Sequence, residues 1–361
     1  MGSKDEVCII GILGTGGLGK TTLAKQVYNS IVDQFECSCF LHNVRENSVK
    51  HSLEYLQGQL LSQLIKYNTL LGHVTEGIKV IRQRLSRRKV LLILDDIDKQ
   101  EQLKNLIGKP SWLGPGSRVI ITTRDKKLLS GHGIRRIYEA DGLNMEESLE
   151  LLRMNSFKSN KNDSGYDYIL NRAVKYAAGL PLALEVVGSN LYGKSIAECE
   201  SLLDKYDRIP HEDIQKILKV SYDALDEEQQ SVFLDIACVF KGRPEEYVQE
   251  VLRDHYGYSI KIHLRDLVDK FLIKITRYVT LHDLIEDMSE EIVRQESIKE
   301  PGERSRLWCR NDIVHVLKNN KVRLISMNNL LFKLTMTFLF FRIIYDHLIL
   351  ILFTLNYTYM F

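Results

Sequence analysis

The sequence predicts an α/β domain, a parallel sheet with flanking helices, followed by an α-helical subdomain and a winged-helix subdomain. Three observations carry this reading. Short apolar runs alternate with helical patterns over the first 140 residues. The strand signal then stops at about residue 141, and helix-period segments follow. After residue 211 the order becomes helix, helix, hairpin, as in a winged-helix module. The expected divisions are 1–140, 141–210 and 211–300, with 301–361 as a linker and an atypical apolar tail.

The strand candidates are VCIIGIL (7–13), SCFLHNV (38–44), KVLLILD (89–95), SRVIITT (117–123) and RIYEA (136–140). Most are continuously apolar, as strands buried on both faces are. The connections are long enough for crossover helices, and Gly114-Pro115-Gly116 punctuates the entry to the fourth strand. Asn144 with Glu147 forms a capping-box pattern that opens a helix through EESLELLRMNSF. Tyr166–Ala178 and Leu182–Leu191 read as helices broken by Gly179-Leu180-Pro181. Asp226 with Gln229 caps SVFLDIACVF, and FLIKITRYVTLHDL (271–284) alternates as a small hairpin does.

Composition sets few limits. The chain has 361 residues, 44% hydrophobic and 27% charged, with net charge +2, so nothing global points to nucleic acid or an acidic membrane. The scattered cysteines lack metal-ligand spacing and read as thiols of a reducing compartment. MGSKDEV is no signal peptide, and Glu6 stands where a myristoylation signal wants Ser or Thr. The expected location is cytoplasmic, extending to nucleocytoplasmic.

Chemistry concentrates in GILGTGGLGKTT (11–22). Gly14-x-x-x-x-Gly19-Lys20-Thr21, after a strand and before a helix, is a Walker A pattern and marks a P-loop NTPase domain. Gly14, Gly16, Gly17 and Gly19 bring backbone N–H groups close to phosphate oxygens, with Leu18 and Thr22 completing the cradle. The helix start adds free N–H groups and its positive dipole end. Lys20 would neutralise β- and γ-phosphates, and the Thr21 hydroxyl would meet Mg²⁺. The bland alternative is a flexible glycine turn. KVLLILDDID supplies a Walker B strand: Asp95 would hold Mg²⁺ and Asp96 would polarise an attacking water. Taken alone, paired acids at a strand end also serve as loop caps. Arg124 ends the fourth strand, on the carboxyl edge where ligands sit, and would reach a γ-phosphate; its alternative is a surface pairing with Asp125 or Glu139.

With these elements in order, the chain resembles the NB-ARC module of plant disease-resistance proteins, in the subfamily that carries an N-terminal TIR domain. FECSCFLHNVRE, KVLLILDDIDK, GSRVIITTRDKKLL, GLPLALEVVGSNL, SYDALDEEQQSVFLDIACVFKG and LHDLIEDMSEEIVRQES match family blocks in family order, over residues 5–318. The resemblance implies a switch, ADP-bound at rest and ATP-bound when active. It implies that Pro181 packs on the base and that His282 contacts the ADP β-phosphate; without it, His282 reads as a wing-surface histidine and Gly179-Leu180-Pro181 as a helix breaker. Leu281 replaces the family methionine, a volume-conserving exchange.

Set against the family pattern, the sequence reads as one without the TIR region before the first strand and without leucine-rich repeats after residue 318. Cys199 stands where tryptophan is usual. The apolar segment 322–361 has uncharged runs shorter than a membrane span and no amphipathic period, and reads as a translated intron or truncated gene model rather than an anchor. The expected function is an ADP/ATP-binding switch of innate immunity with slow ATP hydrolysis at most, partnered by self-association or by related immune receptors. The rival is a non-hydrolysing adaptor or decoy that pairs with full-length receptors. A DNA-binding winged helix is disfavoured because EDMSEEIVRQE is acidic, and a metabolic kinase because no second substrate site is visible.

Overall fold

The computed structural model describes residues 6–66, 71–156, 164–207 and 209–318; the apolar tail lies outside them. They fall in two compact units, one running to Ser221 and including Val268–Leu272, the other formed by Tyr222–Leu267 and the residues from Ile273 on.

The first unit is built on five parallel strands: β1 (Cys8–Leu13), β2 (Cys37–Leu41), β3 (Val90–Ile97), β4 (Arg118–Thr123) and β5 (Arg136–Glu139). Their spatial order is β2-β3-β4-β1-β5. The apolar runs are explained by two buried faces. Leu13, Leu41, Leu92, Leu94, Val119 and Ile121 point into one core, beneath helices Leu53–Ile65 and Val74–Leu85. Ile12, Phe40, Leu91, Ile93 and Ile120 point into another, with Ala24 and Tyr28 of helix Lys20–Ile31. Each fully buried leucine contributes about 1.5–3 kcal/mol.

Three strands fall within one residue of their sequence limits, and two end further away, for local reasons. The second ends at Leu41 because Asn43 is left-handed, φ 47°, and Val44 begins a helix. The third continues to Ile97 through a bulge: Leu94 pairs with Ile121 and Ile97 with Thr123, so Asp95 and Asp96 face Thr122 alone.

Helices Met145–Ser156, Ser164–Ala177, Pro181–Leu191 and Ile196–Tyr206 follow β5. The Asn144 capping box forms: Asn144 Oδ1 accepts from the Glu146 and Glu147 N–H groups, and Glu147 returns a bond to the Asn144 N–H. The break expected at 179–181 falls at Ala178–Leu180. Ala178 and Gly179 are left-handed, and Pro181, having no N–H to lose, opens the next helix. Helix Glu212–Asp223 follows in sequence. Cys199 is fully buried.

The second unit contains helices Glu227–Asp235, Glu245–Tyr256, Asp283–Glu296 and Arg310–Lys318, with a π-helical turn at Ile236–Phe240. The Asp226–Gln229 capping box and the hairpin both form, the latter as antiparallel β6 (Lys274–Ile275) and β7 (Val279–Thr280). All six cysteines carry free thiols. Among the described residues, no helix is long and apolar enough to cross a membrane.

Candidate functional site

The carboxyl ends of β1, β3 and β4 place the loop, the two aspartates and Arg124 along one sheet edge. The glycine pattern meets a steric requirement. Gly14, Gly17 and Gly19 have φ of 148°, 83° and 76°, which a side chain resists. A Cβ on Gly17 would also stand 3.0 Å from Cβ of Leu182, and the Leu182 N–H donates to the Gly17 carbonyl at 3.2 Å. Gly16 faces Arg124, whose guanidinium lies 2.6 Å from where its Cβ would be. Gly19 is the N-cap of helix Lys20–Ile31 and provides no side-chain cap, so the first-turn amides of Lys20, Thr21 and Thr22 remain available to an anion.

Lys20 is nearly buried, and its Nζ donates to the carbonyls of Gly14 (2.8 Å) and Thr15 (2.7 Å). Burial, with help from the Arg124 charge and against the pull of Asp96 and Asp95, pushes its pKa down to about 7. Thr21 Oγ1 donates to Asp95 Oδ1 at 2.8 Å, and Thr122 Oγ1 donates to the same oxygen at 2.7 Å. Asp95 is fully buried, yet its Oδ2 has no hydrogen-bond partner among the described residues. An orphaned buried carboxylate oxygen costs on the order of 1–3 kcal/mol and calls for a cation or ligand. One carboxylate beside one hydroxyl is a typical protein contribution to a phosphate-bound Mg²⁺.

Asp96 is left-handed, φ 58°, and its N–H donates to Thr122 Oγ1 at 2.8 Å. Its Oδ2 accepts from Arg45 Nε at 2.8 Å, and its Oδ1 lies 3.6 Å from Arg124 Nε. Arg124 also donates to the Ile217 carbonyl at 2.7 Å, and burial lowers its pKa. The surface pairings open to Arg124 are taken otherwise, since Asp125 binds Lys270 and Glu139 binds Lys126.

These groups surround a cavity of about 920 Å³ within the first unit. Its cationic end holds Lys20, Arg45 and Arg124, and its apolar wall holds Leu143, Leu151, Pro181 and Leu182. Leu18, Thr21, Thr22 and Asp96 also line it, whereas Asp95 acts from behind Thr21. Gly14 and Gly16 shape the loop without lining the cavity. His282 lies in the second unit, where it is the N-cap of helix Asp283–Glu296 and its Nδ1 accepts from the Leu284 N–H. Sequence reasoning missed Arg45 and Thr122. Arg45 sits within the quoted FLHNVRE block, and the only signal for Thr122 was its place at the tip of a strand next to the Walker B strand.

Residues 1–162 match the NB-ARC domain family, and residues 226–297 match the disease resistance protein Roq1-like winged-helix domain. The chain is 42% identical over 317 residues to disease resistance protein RUN1 of Vitis rotundifolia, covering 87% of this chain and 24% of that one. It is 39% identical over 324 residues to TMV resistance protein N of Nicotiana glutinosa, covering 87% and 28%. It thus spans about a quarter of the length of the curated relatives it matches. Among solved structures, Cdc6p from Pyrobaculum aerophilum aligns at 14% identity and a TM-score of 0.41 over 81% of this chain and 89% of that one, a likeness that carries no argument about function. The chain carries an NB-ARC domain and a Roq1-like winged-helix domain, and its relatives over this region are plant disease-resistance proteins.

Proposed function

We propose that the chain is the ADP/ATP-binding switch module of a plant innate-immune receptor, acting in the cytoplasm and hydrolysing ATP slowly at most. The observation that carries this is the loop itself. Left-handed glycines, a helix N-terminus without a side-chain cap and a buried lysine converge on one end of a cavity. Lys20 and the Thr21 and Thr22 amides would hold the phosphates, and Pro181 and Leu182 would pack on the base. Thr21 Oγ1 and Asp95 Oδ2 would hold Mg²⁺, whose charge offsets that of the phosphates. Asp96 would take the proton of an attacking water, and Arg124 would meet a γ-phosphate. A ligand shifts a two-state equilibrium only through differential affinity, and Arg124, tied to the Ile217 carbonyl, is a group that ATP engages and ADP does not.

The proposal extends to His282 as a determinant of ADP retention, to the subdomain divisions at 140, 210 and 300, and to self-association or pairing with related receptors. The non-hydrolysing adaptor reading draws support from Asp96, whose two oxygens both face guanidinium groups. The test is a titration with a fluorescent ADP analogue. Wild type is expected to bind saturably, Lys20→Ala to lose binding, and His282→Ala to bind ADP more weakly while keeping ATP. Equal binding by wild type and Lys20→Ala would overturn the proposal.

A further inference from the structure

We propose that Arg45 is a positioning residue that restrains ATP hydrolysis by holding Asp96 away from the attacking water; this rests on the nucleotide reading above. Three observations support it. First, the Asp96 carboxylate does not stand free at the strand tip. Its Oδ2 accepts a hydrogen bond from Arg45 Nε at 2.8 Å, in a pair only about one-fifth exposed on the aspartate side. Charge-assisted bonds of this geometry are roughly twice as strong as neutral ones.

Second, the backbone aims the carboxylate at Arg45. The bulge at Asp95–Asp96 and the left-handed conformation of Asp96 turn its side chain out of the strand alternation. The Thr122 hydroxyl pins the Asp96 N–H, so the residue is fixed at its backbone and at its tip. Third, Arg45 comes from the opening turn of helix Val44–Lys50, which follows the left-handed Asn43 directly after β2. The guanidinium therefore rides on a rigid element, and it lines the same cavity as Lys20, Thr21 and Arg124.

Hydrolysis needs a carboxylate oxygen to accept a proton from water. As the water oxygen bonds to the terminal phosphorus, the bond to the bridging oxygen breaks and ADP leaves with that electron pair; the proton passes to Asp96 and then to the released inorganic phosphate or solvent. Oδ2 of Asp96 must leave Arg45 to serve as acceptor, while Oδ1 faces Arg124. The Arg45–Asp96 pair thus raises the barrier to turnover while leaving the phosphate cradle untouched. This fits a switch that holds its nucleotide far longer than a metabolic ATPase does.

The experiment is single-turnover hydrolysis of radiolabelled ATP by the full chain, with fluorescent-ADP affinity and thermal midpoint measured alongside. Arg45→Gln is expected to raise the rate at saturating ATP by about tenfold or more, a fraction of what a general base supplies. Rates are compared at saturating nucleotide, so that any change in affinity from losing one cation of the cavity is read apart from the rate. The rise should vanish in the Arg45→Gln/Asp96→Asn double variant, and Arg45→Lys, which keeps the charge on Asp96, should restore slow turnover. A structural role would lower the thermal midpoint in both single variants and give no rate increase reversed by Asp96→Asn. Normal ADP binding with unchanged or slower hydrolysis in Arg45→Gln would overturn the restraint alone. So would a loss of ATP affinity that shows Arg45 to be a phosphate ligand. Absence of ADP binding by wild type would overturn the restraint and the nucleotide reading together.

Discussion

The buried state of Lys20 makes nucleotide affinity depend on pH in a window where few groups titrate. In the ligand-free fold its pKa is pushed from 10.5 down to about 7, chiefly by burial. The unfolded chain keeps that proton until about 10.5. The unfolded state therefore binds more protons between these values, and the ligand-free chain becomes more stable as pH rises from 7 to 10. Phosphate binding acts in the opposite sense, because the anion needs the ammonium form. With Lys20 charged in the complex, the free chain must take up a proton on binding. Affinity then falls tenfold per pH unit above the free-state pKa, about 50-fold between pH 7 and pH 9 for a value near 7. The other ionisable groups lining the cavity are arginines and carboxylates, with no second lysine and no histidine among them. Titration calorimetry with ADP, repeated in buffers of different ionisation enthalpy, reads both the affinity and the proton uptake. In Lys20→Arg, whose guanidinium stays charged, the slope should disappear even if affinity is lower overall. A flat affinity from pH 7 to 9 in wild type, or the same slope in Lys20→Arg, would refute this reasoning.

Other expectations follow from single contacts. Asp95→Asn neutralises a buried carboxylate whose Oδ2 has no hydrogen-bond partner among the described residues, so the ligand-free thermal midpoint should rise by a few degrees, about 1 kcal/mol, while the enhancement of nucleotide affinity by magnesium is lost; a lower midpoint with that enhancement intact would contradict the assignment. Gly17→Ala places a methyl at φ 83° and against Leu182, and should cost about 1–3 kcal/mol in denaturant unfolding and abolish binding. Arg306 binds the almost fully buried Asp235 at 2.7 Å and also the Ser231 carbonyl, so Arg306→Ala should destabilise the second unit by about 3–5 kcal/mol, read by hydrogen exchange in helix Glu227–Asp235.

Much of the site was legible because its physics is local. A strand, a glycine loop and a helix are consecutive in the chain, and the hydroxyl and ammonium they present follow directly from Thr21 and Lys20. The strands were legible because burial on both faces demands runs such as VLLIL without polar interruption. Boundaries moved where backbone geometry overrode composition, at left-handed Asn43 and at the Asp95–Asp96 bulge. Strand order was not legible, since it depends on crossovers that leave no local signature. Arg45 escaped for a related reason. It lies 51 positions before Asp96, and only the pairing of β2 with β3 brings the two together. Pro181 reads as a breaker in sequence, but its lost N–H costs nothing at a helix start.

The central claim is that this cavity holds an adenine nucleotide by its phosphates. The most direct measurement is the nucleotide released on denaturing the purified full chain, resolved by anion-exchange chromatography, for wild type and Lys20→Ala. The account predicts near-stoichiometric ADP from wild type and none from a folded Lys20→Ala preparation. A folded wild-type chain that releases no nucleotide and binds none on addition would contradict it.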